Sequence, residues 1–513
     1  MIESHPTVAS KNSQLSCQNS ANCRVKIRPN NQANTCQITK RKLTKQPNKN
    51  LPNNQIKTCQ TTKLLLNSLF VSEKSCTFAQ KYYCMAEHFN YRKRVVDSLL
   101  AEKLEAMGAV LIEGPKACGK TTTAEQQAKS ILYMDDPDSM IQNLQLAETN
   151  IKQLLRGGTP RLIDEWQIAP QLWDAIRFEV DHRRDDGQFM LTGSAVPADD
   201  SKIHHTGTGR FAWLTMRPMT LWESGESTGD VSLGKLFENA EMVEGESHLS
   251  LEDVAFVTCR GGWPKAMNKK SQKAALGQVK EYYEAITRSD ISRVDGVSRD
   301  EQRAKRLMRS YARLQGSMAP IPTIVEDLKT NEPESMSDET VASYIKALKK
   351  IFVIEDMEAW NPNLRSKTAI RTSDNRYFVD PSLAIAALDL GPNDLMNDLN
   401  TFGLFFETLC VRDLRVFAET LHGKVYHYRD RSGLECDTVV HLRNGSYGLI
   451  EIKLGGDRLI QEGADALIDL KDKIDTTKMK KPSFLMVLTA VGQYAYKRPK
   501  DGVLVVPIGC LKD

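Results

Sequence analysis

Eight residues with one fixed spacing carry the plainest chemistry in this chain. Gly114-Pro115-Lys116-Ala117-Cys118-Gly119-Lys120-Thr121 fits G-x-x-x-x-G-K-[ST] without mismatch. It lies between an apolar run, Ala109 to Glu113, and a stretch that reads as helix. In such a turn the glycines let backbone N–H groups curl around phosphate oxygens, and the helix N-terminus adds positive potential. Lys120 is expected to reach the β and γ phosphates and Thr121 to ligate Mg2+, with Thr122 beside them in the phosphate-binding turn. ATP or GTP is the implied ligand. Leu162-Ile163-Asp164-Glu165 ends a second apolar run in two carboxylates. Asp164 is expected to help hold the Mg2+, and Glu165 to orient and polarise the attacking water. Thr192 and Ser194 follow a third run, Phe189 to Leu191, and offer hydroxyls to sense a γ-phosphate, although Thr and Ser also simply terminate strands. Arg210, after the loop His205-Thr206-Gly207-Thr208-Gly209, is a candidate to neutralise transition-state charge. Arg217 is its alternative, and either residue has its own or a neighbour's nucleotide to act on.

A second constellation lies near the C-terminus. Glu435-Cys436-Asp437 is followed, fourteen residues after Asp437, by Glu451-Ile452-Lys453. On a strand Glu451 and Lys453 project to the same face. Phosphodiester hydrolysis uses carboxylates that hold Mg2+ beside a charge-stabilising lysine. Asp437 and Glu451 are therefore candidate metal ligands, and Asp437, Glu451 and Lys453 candidate catalytic residues, with Glu407 upstream as a further acid. The same letters also arise on hydrated sheet faces where Glu and Lys pair across strands, so binding without cleavage stays an open reading.

These residues need elements to position them. From Met85 onward apolar strand-like runs alternate with helical stretches, which implies a parallel sheet covered on both faces. Residues 85–228 read as this P-loop core, and 229–300 as a mostly helical extension. Residues 301–375 read as three helices, the third capped by Ser337 and carrying Val341, Tyr344, Ile345 and Leu348 on one face, then a strand at Ile351 to Glu355. That pattern suggests a winged helix-turn-helix, with Lys346, Lys349 and Lys350 on the third helix suited to phosphate contact or simply to solvation. Residues 376–513 read as a long helix at Phe402 to Leu421 and strands at Val425 to Tyr428, Cys436 to Leu442, Tyr447 to Lys453, Phe484 to Leu488 and Val503 to Val506.

Composition narrows the class. The chain has 513 residues, 41% hydrophobic, and no apolar run approaches the ~20 residues that span a bilayer. Eleven cysteines are too few for a disulfide scaffold at this length, so a reducing cytoplasm is expected. The net charge of +4 hides an asymmetry: residues 1–84 hold 13 Lys and Arg against two acids, and the other 429 residues hold 56 against 63. A basic pI is therefore no argument for nucleic-acid binding by the body of the chain. The polar tail 1–84 is expected to be disordered, either a basic arm or a targeting segment, or the product of a start site placed upstream of Met85.

The order of elements resembles AAA+ P-loop ATPases. Leu162 to Glu165, Leu191 to Ala195, Gly209-Arg210, Pro218 to Glu223, Gly261-Gly262-Trp263-Pro264 and Arg288-Ser289-Asp290-Ile291 are together similar to a widespread prokaryotic family. That family joins an AAA+ ATPase to a C-terminal domain of uncharacterised function, and the resemblance covers about residues 88–513. It implies ATP and Mg2+ as ligands. Asp437, Glu451 and Lys453 stand where the PD-(D/E)XK nuclease core has its motif, which implies a restriction-endonuclease-like α/β fold. The expectation is an ATPase coupled to DNA processing or defence, or alternatively a nucleotide-dependent protein- or DNA-binding switch that cuts nothing. DNA, a protein partner and further copies of the chain are the expected partners, with no membrane.

Overall fold

The computed structural model describes residues 91–193, 203, 205–241, 243–361 and 373–513. The expectations for residues 1–84 and for Ser194 lie outside them. Helix α1 (Val96–Ala106) leads into the first strand of a parallel sheet. Its strands are β1 (Ala109–Glu113), β2 (Ser130–Tyr133), β3 (Arg161–Asp164), β4 (Phe189–Thr192) and β5 (Phe211–Thr215), in the order β2-β3-β4-β1-β5. Strands covered on both faces must be apolar on both, which is why β1 and β4 are apolar up to their last residue and β3 is apolar at Leu162 and Ile163. Val110, Ile112, Leu162, Met190 and Leu214 join one core. Leu111, Ile163, Leu191 and Phe211 join another, with Trp166, Leu172, Trp173 and Ile176 from the turn after β3 and helix α3 (Leu172–Arg183). Helix α2 (Lys120–Gln127) springs from the turn after β1.

The register decides what meets at the sheet's C-terminal edge. Asp164 pairs with Thr192, and Thr192 with Ile112, two residues before Gly114. Strand β4 thus separates the P-loop strand from the Asp164 strand and brings Thr192 between them.

Residues 229–300 carry helices together with two short strands. Helices α4 (Leu251–Arg260) and α5 (Gln272–Ala285) are present, and α5 continues as a π-helical turn at Ile286–Asp290. Before them, Val231–Ser232 pairs with Leu511–Lys512, and β6 (Gly245–Glu246) joins the C-terminal sheet. Helices α6 (Glu301–Arg313), α7 (Ile321–Asn331) and α8 (Asp338–Lys350) follow, and the Thr340 N–H donates to the Ser337 hydroxyl as the capping pattern requires. The strand expected at Ile351 to Glu355 does not form. Phe352 sits at φ 58°, outside extended geometry, and pairing reduces to isolated bridges, Ile354↔Phe378 and Met357↔Asn375.

The last part builds on helix α9 (Leu399–Thr420) and strands β7 (Gly423–Arg429), β8 (Glu435–Leu442), β9 (Tyr447–Lys453), β10 (Phe484–Thr489), β11 (Tyr494–Lys497) and β12 (Leu504–Pro507). Their order is β6-β11-β12-β10-β9-β8-β7. Phe402, Phe405 and Phe406 of α9 pack with Val440, Ile450 and Met486. Helix α10 (Asp457–Lys473) packs Ala464, Leu467 and Leu470 with Val439, Leu449 and Val487.

The joint between these parts is polar and buried. Arg412 on α9 donates to Asp380 at 2.8 Å and to Asp413 at 2.8 Å. Asp380 also accepts the Gly262 N–H, and Asp413 the Leu221 N–H, both at 2.9 Å. Side chains this deep persist only when hydrogen-bonded and charge-paired, so the set locks α9 to the segments that follow β5 and α4.

Candidate functional site

The turn from β1 to α2 needs two unusual backbone positions. Gly114 has φ 147°, and a Cβ there would stand 2.0 Å from the Met216 carbonyl oxygen. Gly119, at φ 105°, is the N-cap of α2. Only glycine takes both geometries without strain. Lys120 is buried, and its ammonium donates to the carbonyls of Gly114 at 2.9 Å and Pro115 at 2.8 Å. Ala117 is left-handed at φ 62°. The buried Cys118 presents its carbonyl to Arg94 Nη1 at 2.9 Å, and Thr122 occupies the third position of α2.

One carboxylate oxygen joins two strands and the helix. Asp164 Oδ1 accepts from Thr121 Oγ1 at 2.8 Å and from Thr192 Oγ1 at 2.5 Å. Burial raises the Asp164 pKa, and the two hydroxyls work against that rise. Glu165, next along the chain, is left-handed at φ 52° and accepts from the Gln167 amide; burial raises its pKa too. Thr121 and Asp164 are two oxygen donors in contact at the start of α2, a donor chemistry that suits Mg2+. Ligation through these residues would leave Lys120 free to turn from backbone carbonyls to phosphate.

The strand direction bears on the arginine expectations for this chain's own nucleotide. Arg210 precedes β5, at the N-terminal ends of the parallel strands, whereas the P-loop leaves their C-terminal ends. Four residues of strand put roughly 13 Å between those levels. Its guanidinium pairs instead with Asp181 of α3 at 2.8 Å. Arg217 is held by Glu355 at 2.7 Å and Glu419 at 2.8 Å. Neither arginine faces this chain's own phosphate turn.

Two residues beside the turn were not identified from sequence. Asp290, in the π-helical turn, pairs with Lys116 Nζ at 2.6 Å. π-Turns concentrate at functional positions, and the Arg288 to Ile291 stretch was its only sequence signal. Arg94 is buried, bonded to Glu223 at 2.9 Å and to the Cys118 carbonyl, and nothing in its local sequence marks it.

In the C-terminal domain the β8–β9 ladder ends at Thr438↔Ile450. Beyond that point the Asp437 carboxylate accepts the Ile452 N–H at 2.8 Å, and the Asp437 N–H donates to Glu451 at 3.3 Å. Lys453 Nζ stands between the acids, 2.6 Å from Glu451 and 3.1 Å from Asp437. Glu407 of α9 accepts from the Tyr377 hydroxyl. Burial, and then the charge of Asp437, push Glu407 and Glu451 each up to about 8. Burial alone would lower Lys453, but the two carboxylates outweigh it and hold the ammonium above its ordinary value. Asp437 and Glu451, expected to hold Mg2+, are brought together just past the end of this ladder. The Lys453 ammonium is the cation between them, and among the described residues no three of His, Cys, Asp or Glu are grouped to hold a metal ion.

Comparison with known proteins agrees with the first site and leaves the second without a named activity. Residues 107–224 match the AAA domain family. Residues 251–394 and 402–511 match two domains of unknown function, DUF8612 and DUF4143. No curated protein matches the chain. Among solved structures, the Walker-type ATPase PABY2304 of Pyrococcus abyssi is similar at 13% identity and TM-score 0.37, over 59% of this chain and 96% of that one. The Aeropyrum pernix ORC1 protein in complex with DNA is similar at 14% identity and TM-score 0.20, over 59% and 91%. The Drosophila ORC bound to DNA is similar at 12% identity and TM-score 0.17, over 57% and 85%. Residues 107–224 are thus an AAA-type P-loop ATPase domain, which implies nucleotide binding. No helix among the described residues is long and apolar enough to cross a membrane.

Proposed function

We propose that this chain is an ATP hydrolase whose nucleotide state is passed through the buried joint at Arg412 to its C-terminal domain, and that DNA is what the domain engages. The observation that carries this reading is the Asp164 oxygen shared by Thr121 and Thr192. It ties the start of α2 to the end of β4, so a change at the phosphates moves both. Mg2+, held by Thr121 and Asp164, would supply charge neutralisation at the phosphate oxygens. Lys120 binds the β and γ phosphates, and Glu165 orients the attacking water and takes its proton; a carboxyl raised by burial suits that transfer. Arg210 serves only a neighbouring copy's nucleotide, which makes oligomerisation part of the proposal. The test is phosphate release by the full chain with Mg2+, with and without DNA. Hydrolysis that rises with DNA and disappears in Lys120→Ala supports the reading; hydrolysis unchanged by Lys120→Ala refutes it.

A second reading makes the C-terminal acids a phosphodiester-cleaving centre. It is favoured by Asp437 and Glu451 meeting on one lysine, with Glu407 near enough to feel the charge of all three. Nicking of supercoiled DNA that is lost in Lys453→Ala would select it. Intact DNA after incubation with active ATPase would select the binding domain.

A further inference from the structure

On the other face of the ATPase sheet a cavity of about 280 Å³ is lined by four aromatic rings, those of Trp166, Trp173, Trp213 and Phe352, with Glu113 and His205. Side chains alternate along β1, so Ile112 joins the core toward α2 while Leu111 and Glu113 face this cavity. The cavity therefore lies across the sheet from the core packed on α2, and it borders Trp166 and Gly193, the residues after Glu165 and Thr192. Trp173 lies 5.2 Å from Trp166 and 6.3 Å from Trp213, centroid to centroid, the two pairs tilted by 36° and 49°. Trp213 is 45% exposed, unusual for so large an apolar ring. Phe352 reaches the cavity from outside the sheet through a left-handed backbone, a conformation that strains a bulky residue and persists where the surroundings impose it.

Glu113 is the one acid among the described residues of this wall. Burial raises its pKa, and among the described residues no hydrogen bond or charge offsets that burial. A partly buried carboxyl without a partner is costly, and a cation brought beside it removes the cost. The same cation would lie against electron-rich ring faces. None of the Lys or Arg side chains stacked on rings among the described residues uses these four aromatics.

The geometry points to an organic-cation site here: an alkylammonium or guanidinium head seated among Trp166, Trp173, Trp213 and Phe352 against Glu113. This site goes beyond the ATPase reading and does not depend on it. The shared chemistry fits a free small amine or the cationic side chain of a protein.

Three of the six tryptophans line the cavity, so intrinsic fluorescence of the full chain reports occupancy. Tetramethylammonium chloride is titrated against equal concentrations of sodium chloride and of tert-butanol, a neutral molecule of similar shape. A saturable change with tetramethylammonium alone, weakened at least tenfold in Glu113→Gln and in Trp213→Leu, is expected. An unsaturable change, a response equal to that of either control, or full retention in Glu113→Gln overturns the proposal. The comparison with tert-butanol uses the unaltered protein and so stands even if a variant fails to fold. A short arginine-containing peptide added in parallel separates the sources: at least tenfold tighter binding than tetramethylammonium indicates a protein side chain, and equal or weaker binding a small amine. ATP saturation leaves both titrations unchanged if the sites are separate.

Discussion

Replacing Glu407 by Gln should stabilise the protein, and only at high pH. Both Glu407 and Glu451 bind a proton more tightly in the folded chain than in the unfolded one, where a glutamate titrates near 4.5. The folded state is therefore penalised progressively as pH rises above about 4.5, and the penalty is complete once pH passes about 8. At about 1.4 kcal/mol per pH unit, a displacement from 4.5 to about 8 has a ceiling of about 5 kcal/mol. Glu407 shares its repulsion with Glu451 through Asp437, so roughly half that, about 2 kcal/mol, is the expected gain from neutralising one of them. Glutamine keeps an oxygen to accept from the Tyr377 hydroxyl, so the local contact survives. Calorimetric melting of wild type and Glu407→Gln at pH 5, 7 and 9 reads the effect. The two should melt together at pH 5 and diverge at pH 9, with the variant higher. A variant equally destabilised at all three pH values would show that Glu407 is ionised and paired, and would refute the reasoning.

Other perturbations have equally definite outcomes. Arg412→Leu leaves Asp380 and Asp413 buried without their counter-ion and should cost about 3–5 kcal/mol, read as a lower urea midpoint. The loss should shrink as pH falls toward about 6, because burial raises Asp413 and removal of the Arg412 charge raises it further, so the variant takes up the proton first. Gly114→Ala places a methyl 2.0 Å from the Met216 carbonyl oxygen, so calorimetric ATP affinity should fall at least tenfold with Lys120 intact. Asp290→Asn removes an acid from beside Lys116 and should tighten ATP binding several-fold in the same assay. Its stability change should stay below about 1 kcal/mol, because the lysine of that pair is half-exposed.

Motif spacing alone located the phosphate turn, since a strand, six turn residues and Lys-Thr at a helix start are local properties of consecutive residues. The parallel sheet was equally legible, because strands covered on both faces must be apolar throughout. The strand expected at Ile351 to Glu355 failed for a reason its composition does not carry. A branched apolar run favours extension, but Phe352 turns left-handed and lines the cavity that Glu113 and Trp213 also line. Arg210 shows a further limit: a flexible loop before an arginine says nothing about which end of the sheet it returns to, and β5 begins at the end away from the phosphates.

Asp437, Glu451 and Lys453 mark the division most sharply. Their alternation on neighbouring strands followed from sequence, because period-two geometry fixes which residues share a face. Where the Lys453 ammonium settles, and how strongly burial holds protons on Glu451 and on Glu407, depend on α9 packing against the sheet over more than forty residues of separation. The same holds for Asp290 against Lys116 and Glu113 against the tryptophans. Sequence determined which chemical groups this protein owns and the local turns that hold them. Tertiary packing alone decided their distances, their shared burial and so their charge, because desolvation and Coulomb interaction act through space between residues the chain keeps far apart.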